Sequence, residues 1–379
     1  MKIGLLGMGT IGSGVFEIAQ KLDGVEVKKV LEKRFQADYI TDKIEDITTD
    51  PEIELVVETM GGLHPAYEFA SEVLKNGKHF VTANKLLVSA YGEELTALAH
   101  EKGLAFLYGA ACGGGIAYLA NLKIAREIDR ITALGGILNG TTNYILDSMQ
   151  SKNMDYAQAL SEAQALGYAE RDPSSDVDGL DTQRKLILAS SVGFDAYIKP
   201  EDIPTRGISA VKMADVTYAR AHNLVIRLCA RAERNAEGAI SAYVEPTLVA
   251  VNAPEAAILV NVNYAWYSGE SYGLMSYIGQ GAGKLPTAAN VLRDVQSIAA
   301  GARYMTSENC KRVQPDNSAA CHPYYIRIAD ASAIPAEWIA RSEVLDGETC
   351  IETVPVSVQA MHNLMANHKD AFFAGIQRG

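Results

Sequence analysis

The sequence predicts an α/β chain: an open parallel sheet whose strands alternate with helices, an α+β domain inserted into it, and a small C-terminal α/β unit. Three observations carry that expectation. Short apolar strands begin at Lys2, Val25, Leu55, Phe80 and Leu104, with helical spacing between them, as in a parallel sheet buried on both faces. From Arg130 the pattern turns to period two: Leu224, Ile226, Leu228 and Ala230 face one way, Arg227 and Arg231 the other. Beyond a polar stretch at Glu308–Pro323, shorter strands and helices resume. With 379 residues, 48% of them hydrophobic, the chain has core enough for about two or three domains.

The first strand, Lys2–Leu6, runs into Gly7-Met-Gly9-Thr10-Ile11-Gly12 and then a helical apolar pattern, Val15, Phe16, Ile18, Ala19. In a Rossmann-type dinucleotide-binding domain the first such glycine makes the tight turn, the second lets backbone N–H groups reach pyrophosphate, and the third packs helix on strand. Thr10 and Ile11 open that helix and join the candidate cofactor site. The second strand, Val25–Leu31, ends at Glu32-Lys33-Arg34. An acid there suits the ribose hydroxyl of NAD, and the cations suit the phosphate of NADP; both signals are present. Leu55–Thr59 ends in Thr59, a further cofactor candidate, and Gly61-Gly62 precede a helix from Pro65 to Asn76. Phe80–Lys85 reads as a strand ending in a polar loop, where open α/β sheets place ligand groups. Lys85 is a candidate for chemistry there, although a solvated loop lysine fits the same position. A helix follows at Glu94–Lys102, a strand at Leu104–Tyr108, and then the glycines of Ala110–Ile116.

Ile131–Leu138 reads as a strand, Asn139–Asn143 as a polar turn and cap, with helices at Thr142–Ser151 and Asp155–Leu166. Next comes Gly167-Tyr-Ala-Glu-Arg-Asp-Pro-Ser-Ser-Asp-Val-Asp-Gly-Leu-Asp-Thr-Gln-Arg-Lys185, dense in charge and followed at once by apolar Leu186–Ala189. Asp178 is the expected N-cap of a helix over Gly179–Val192, which puts Asp181 and Lys185 one turn apart on one face. Such a pair is often no more than a solvated ion pair worth a few tenths of a kcal/mol. Glu170, Asp172 and Asp176 beside it, at the rim of an apolar core, instead favour a lysine tuned for proton transfer. Strands at Ile240–Val249 and Val260–Tyr267 continue a mixed sheet covered by helices on one side. Tyr277–Thr287, with Gly279, Gly281 and Gly283, is a second glycine-rich turn opening a helix over Pro286–Ala300 that returns to the first domain. The C-terminal unit reads strand Tyr324–Ile328, helix Pro335–Ser342, strand Thr349–Val354, helix Ser357–Ala366 and a tail. The expected domains are 1–128 with 277–306, 129–276, and 322–379.

A net charge of −12 without runs of lysine or arginine argues against nucleic acid or an anionic membrane as partner. The cysteines Cys112, Cys229, Cys310, Cys321 and Cys350 are scattered, without metal-ligand spacing, and read as reduced thiols. No apolar run has the length of a signal sequence or a membrane span, so a cytoplasmic protein is expected.

Three blocks, Gly7–Gly14, Gly135–Leu146 and Gly167–Lys185, closely resemble homoserine dehydrogenases, with Thr82–Lys85 and Gly279–Gly283 in support; the resemblance spans about residues 1–305. It implies interconversion of L-homoserine and L-aspartate 4-semialdehyde with NAD or NADP, in a homodimer whose central domain supplies the dimer sheet and the substrate site. In that reading Glu170 holds the substrate ammonium with Tyr168 beside it, Asn139 and Thr141 line the site, and Asp176 and Asp181 orient substrate and lysine. Lys185 transfers the proton and Lys85 assists near the nicotinamide. Gly281 and Gly283 join the cofactor residues. The resemblance also implies a monovalent cation at Cys112, Gly114 and Ile116, but Gly109 stands where the family often has a glutamate for that ion. The C-terminal unit sits where relatives carry an ACT domain. Here it is reduced, and Ala329–Pro335 replaces the glycine-bearing loop. The rival readings are a same-fold dehydrogenase of a related small amino-acid aldehyde or alcohol, and a catalytically silent nucleotide sensor.

Overall fold

The structure, a computed structural model, describes residues 1–34, 36–345 and 347–378. The chain folds into two compact units. The first comprises Met1–Ile128, Ile187–Tyr197 and Gly279–Lys311; the second comprises Asp129–Leu186, Ile198–Ile278 and Arg312–Gly379.

Numbering the strands of the two large sheets in chain order, the first unit holds β1 (Lys2–Leu6), β2 (Glu26–Leu31), β3 (Ile40–Thr41), β4 (Leu55–Glu58), β5 (His79–Thr82) and β6 (Phe106–Leu107). They pair in the order β3-β2-β1-β4-β5-β6, all parallel. Ile3, Leu5, Leu55, Val56, Val57, Phe80 and Val81 are fully buried, so the sheet is covered on both faces as the apolar runs require. Strand order reverses between β1 and β4, and the loops after their carboxyl ends line the crevice where such sheets bind ligands.

The second unit contains β7 (Ile131–Ile137), β8 (Leu224–Arg234), β9 (Ile240–Ala250), β10 (Val262–Gly269), β11 (Gly273–Gln280), β12 (Tyr324–Arg327), β13 (Ile339–Leu345), β14 (Glu348–Thr353) and β15 (Phe372–Gln377). They form one nine-stranded sheet in the order β11-β10-β7-β8-β9-β15-β12-β14-β13. β15 pairs parallel with β9 and antiparallel with β12, so it joins the two halves. Arg227, on the side of β8 expected to be polar, is 1% exposed. The carbonyls of Glu255 and Ala256 accept from it at 3.1 and 3.0 Å, and the Asp147 carboxylate lies 4.0 Å away, so the buried guanidinium is satisfied.

Several expectations are corrected. The reduced ACT-like unit over 322–379 is not separate: its strands continue the sheet of the second unit. Pro335–Ser342 is not a helix but a short turn, Ala336–Trp338, followed by β13, which pairs antiparallel with β14; strand pairing overrides local propensity here. The tail is β15. Lys85 lies in no loop: Asn84 caps a helix running Lys85–Lys102, its side chain accepting from the Leu87 N–H at 3.2 Å. A helix over Tyr118–Ile128 adds to the expected elements. β11 extends through Gln280, so the second glycine turn begins later than Tyr277, and its helix is Lys284–Ala299. Asp178 closes a single turn, Ser174–Val177, and Gly179, at φ +84°, precedes the helix Leu180–Phe194.

Candidate active site

The helix Leu180–Phe194, which begins in the second unit, buries its apolar face through Leu186, Ile187, Leu188 and Ala189. This draws Asp181 and Lys185 into the protein with it. Their side chains are 7% and 9% exposed, and Lys185 Nζ lies 2.7 Å from Asp181 Oδ2. The same ammonium donates to the Leu138 carbonyl at 2.5 Å. Asn139 caps the helix Gly140–Lys152, its Oδ1 accepting from the Thr142 N–H at 2.8 Å. Its Nδ2 meanwhile donates to Asp176 at 2.7 Å and to Asp181 at 2.9 Å. Asp176, Asn139, Asp181 and Lys185 therefore form one hydrogen-bonded chain. Thr141 donates to the Tyr168 carbonyl at 2.6 Å, and the Tyr168 ring lies 5.0 Å from that of Tyr144. Glu170 is exposed, and its carbonyl accepts from Gln164 at 3.1 Å.

In the first unit the glycine motif is built as its spacing implies. Gly7 has φ +91°, and a Cβ on Gly12 would lie 2.0 Å from the Gly7 carbonyl oxygen, whereas one on Gly9 would meet nothing within 4 Å. Gly9 also precedes the helix Thr10–Ala19 without a side-chain cap. Its backbone N–H groups, those of Thr10, Ile11 and Gly12 included, thus begin beside open space, the geometry that receives pyrophosphate. The Thr59 hydroxyl is turned inward, donating to the carbonyls of Leu6 and Gly7 at 3.1 Å each. Glu32 accepts from the backbone N–H groups of Met8, Lys33 and Arg34 and from the Arg34 guanidinium at 3.0 and 2.7 Å. The guanidinium above all, with those N–H groups, holds its carboxyl at about 2.

The loop Ala110–Ile116 packs against the second glycine turn. The Gly115 N–H donates to Gln280 at 3.1 Å, and a Cβ on Gly114 would lie 2.3 Å from the Gly281 carbonyl oxygen. Gly283, at φ +115°, precedes the helix Lys284–Ala299. From that helix Asn290 Nδ2 donates to Gly114 at 2.7 Å, Ile116 at 3.1 Å and Gly109 at 3.3 Å.

A family model described as the NAD binding domain of homoserine dehydrogenase matches residues 7–109, and one described as homoserine dehydrogenase matches residues 118–296. The chain belongs to the homoserine dehydrogenase family. The homoserine dehydrogenase of Synechocystis sp. is 42% identical over 316 residues, covering 79% of this chain and 73% of that protein. That of Pseudomonas aeruginosa is 37% identical over 362 residues, covering 86% of this chain and 81% of its own. The crystal structure of a homoserine dehydrogenase from Thiobacillus denitrificans matches with a TM-score of 0.88 at 29% identity, covering 100% of this chain and 98% of that chain. The parallel sheet of this homoserine dehydrogenase is thus its nicotinamide-dinucleotide domain. Among the described residues, no helix is long and apolar enough to cross a membrane.

Besides Asn290, both Glu58 and Asn263 escaped sequence reasoning. Glu58, fully buried at the end of β4, accepts from Thr82 at 2.5 Å and from the N–H groups of Met60 and Gly61 at 2.6 and 3.0 Å. Burial pushes its carboxyl up. Thr82 accepts in turn from the Asn84 N–H at 2.9 Å, and Asn84 Nδ2 donates to Gly62 at 2.6 Å, so Glu58 fixes the helix start that carries Lys85. A carboxylate closing an apolar strand was its signal. Asn263 donates to the Leu138 carbonyl at 2.9 Å, the acceptor that also holds Lys185. Its signal was only a polar side chain at a buried position of β10.

Proposed function

We propose that this homoserine dehydrogenase family member interconverts L-homoserine and L-aspartate 4-semialdehyde with NAD(P), a step of amino-acid biosynthesis, and that Lys185 moves the proton. The observation that carries this is the lysine ammonium buried between the Asp181 carboxylate and the Leu138 carbonyl, at 2.7 and 2.5 Å. When bound, the nicotinamide supplies or accepts the hydride. Reduction of the aldehyde leaves negative charge on its oxygen, and Lys185 neutralises it by giving up a proton; in the other direction the neutral amine takes the hydroxyl proton. Asp181 keeps the lysine oriented, and Asn139, by binding Asp176 and Asp181 together, keeps the two carboxylates in place. Lys85, at the start of its helix in the first unit, is assigned an assisting role near the nicotinamide.

The pyrophosphate is assigned to Gly7–Gly12. Glu32 suits a ribose 2′-hydroxyl, and Lys33 and Arg34 suit a 2′-phosphate. The test is the initial rate with L-homoserine, run in parallel with NAD⁺ and NADP⁺. A homoserine-dependent rate with either supports the reading. Dinucleotide binding without turnover on homoserine or its homologues turns it toward the sensor, and faster turnover on a homologue turns it toward the related dehydrogenase.

The exposed Glu170 carboxylate, with Tyr168 beside it, is assigned to the substrate ammonium. Glu170→Gln is expected to raise the KM for homoserine about tenfold, the loss of roughly one charge-assisted contact, with the KM for dinucleotide unchanged. An unaltered homoserine KM removes Glu170 from this role. A homodimer is expected through the sheet of the second unit, whose edge strand β11 carries exposed Leu274, Met275 and Ile278. Sedimentation is expected to give twice the chain mass of 40.8 kDa, and a single-chain mass overturns it.

A further inference from the structure

The glycine loop of the first unit is where the family resemblance implies a monovalent cation, and the side chains present do not fit one. The carbonyl oxygens of Gly109, Gly114 and Ile116 converge on a single point, as they would on a hard cation. That point is taken by Asn290 Nδ2, at 3.3, 2.7 and 3.1 Å. An amide nitrogen has two hydrogens for these acceptors, so at least one is shared. Its orientation is fixed as well: Asn290 Oδ1 accepts from Arg293 at 2.9 Å. Flipping the amide would set its oxygen against the carbonyls and its nitrogen against a guanidinium. That guanidinium also brings a permanent positive charge next to where an ion would sit.

Position 109 has no room for an anionic ligand. A Cβ on Gly109 would lie 2.8 Å from Asp294 Oδ1 and 3.1 Å from Oδ2. The Gly109 N–H donates to Asp294 at 2.6 Å, so this carboxyl is engaged with the backbone.

We propose that Asn290 replaces the monovalent cation: its amide hydrogens hold the carbonyls of Gly109, Gly114 and Ile116 against the helix Lys284–Ala299, so the dinucleotide domain is completed without an ion. Asn290 is a positioning residue. Removing it leaves an oxygen-lined cavity that a small cation can fill.

The test compares the protein and Asn290→Ala in NaCl, KCl and N-methylglucamine chloride at equal ionic strength, reading melting temperature and dinucleotide affinity. The unaltered protein is expected to give the same values in all three salts. Asn290→Ala is expected to melt lower and to bind dinucleotide about tenfold more weakly in the bulky cation, with Na⁺ or K⁺ restoring both. Should that variant not fold, Asn290→Asp, which keeps the size and exchanges the amide for a carboxylate, takes its place and is expected to require the small cation. The proposal is overturned if the unaltered protein is itself stabilised by Na⁺ or K⁺ over N-methylglucamine, or if the variant that folds is indifferent to the salt. Neither readout needs turnover, so a failure of the homoserine assignment and a failure of this proposal are told apart.

Discussion

Lys185→Ala is expected to lower turnover by about 10²–10⁴-fold, the usual contribution of a positioned proton donor, while dinucleotide affinity stays within about twofold. The two effects separate because the lysine acts on the substrate oxygen, whereas the pyrophosphate cradle is built from Gly7, Gly9 and Gly12. The substitution removes the cation held 2.7 Å from Asp181 and leaves that carboxylate with Asn139, which donates to it at 2.9 Å. Lys185→Arg sharpens the test: guanidinium keeps the charge but does not give up its proton near neutral pH, so turnover is expected to stay low. Single-turnover rates together with dinucleotide titration decide it. Turnover near that of the unaltered protein in either variant would remove Lys185 from the chemistry.

Arg327→Ala is expected to cost about 3–5 kcal/mol of stability, the range for breaking a buried ion pair by removing one partner. Arg327 and Asp215 are 2% and 0% exposed, joined at 2.8 Å, with a second contact at 3.2 Å. Tyr325 and the Lys212 N–H also donate to this carboxylate, at 2.9 and 2.7 Å. Burial pushes Asp215 up, and Arg327 is the main opposing influence. Without the arginine, the carboxyl rises further above its unfolded value. Between the folded carboxyl's value with the arginine and its higher value without it, only the variant takes up a proton on folding, so the variant's deficit shrinks as pH falls through that window and is largest above it. Urea denaturation at two pH values measures both effects. A loss below about 1 kcal/mol would place the pair with the weak ion pairs of protein surfaces.

Legibility followed whether the cause of a feature was local. The turn at Gly7, the close approach at Gly12 and the shared helix face of Asp181 and Lys185 follow from backbone sterics and helical pitch, so spacing alone reveals them. The first half of the helix Lys85–Lys102 is hidden because its buried set there is Leu87, Val88 and Gly92, and no apolar pattern marks the glycine. β13 reads as a helix because its state is set by pairing with β14 rather than by its own residues. The exposed Glu170 and the buried chain around Lys185 share one sequence block, yet the hydrogen bonds that tie the block down come from Asn139, 37 positions before Asp176 and 42 before Asp181. A single sequence carries no sign of such a tie, nor of Asn290 reaching Gly114 across 176 positions.

The place of β15 in the second sheet sets an order of events at the ribosome. Residues 240–250 and 324–353 leave the exit tunnel before residues 372–377, yet the late segment lies between β9 and β12. A nascent chain therefore holds two half-sheets whose facing edges have no strand to pair with, the edges most open to wrong partners. The parallel sheet of the first unit, all of whose strands lie within residues 2–107, can close long before; the wide sheet is sealed from its middle, by the last of its strands to be synthesised.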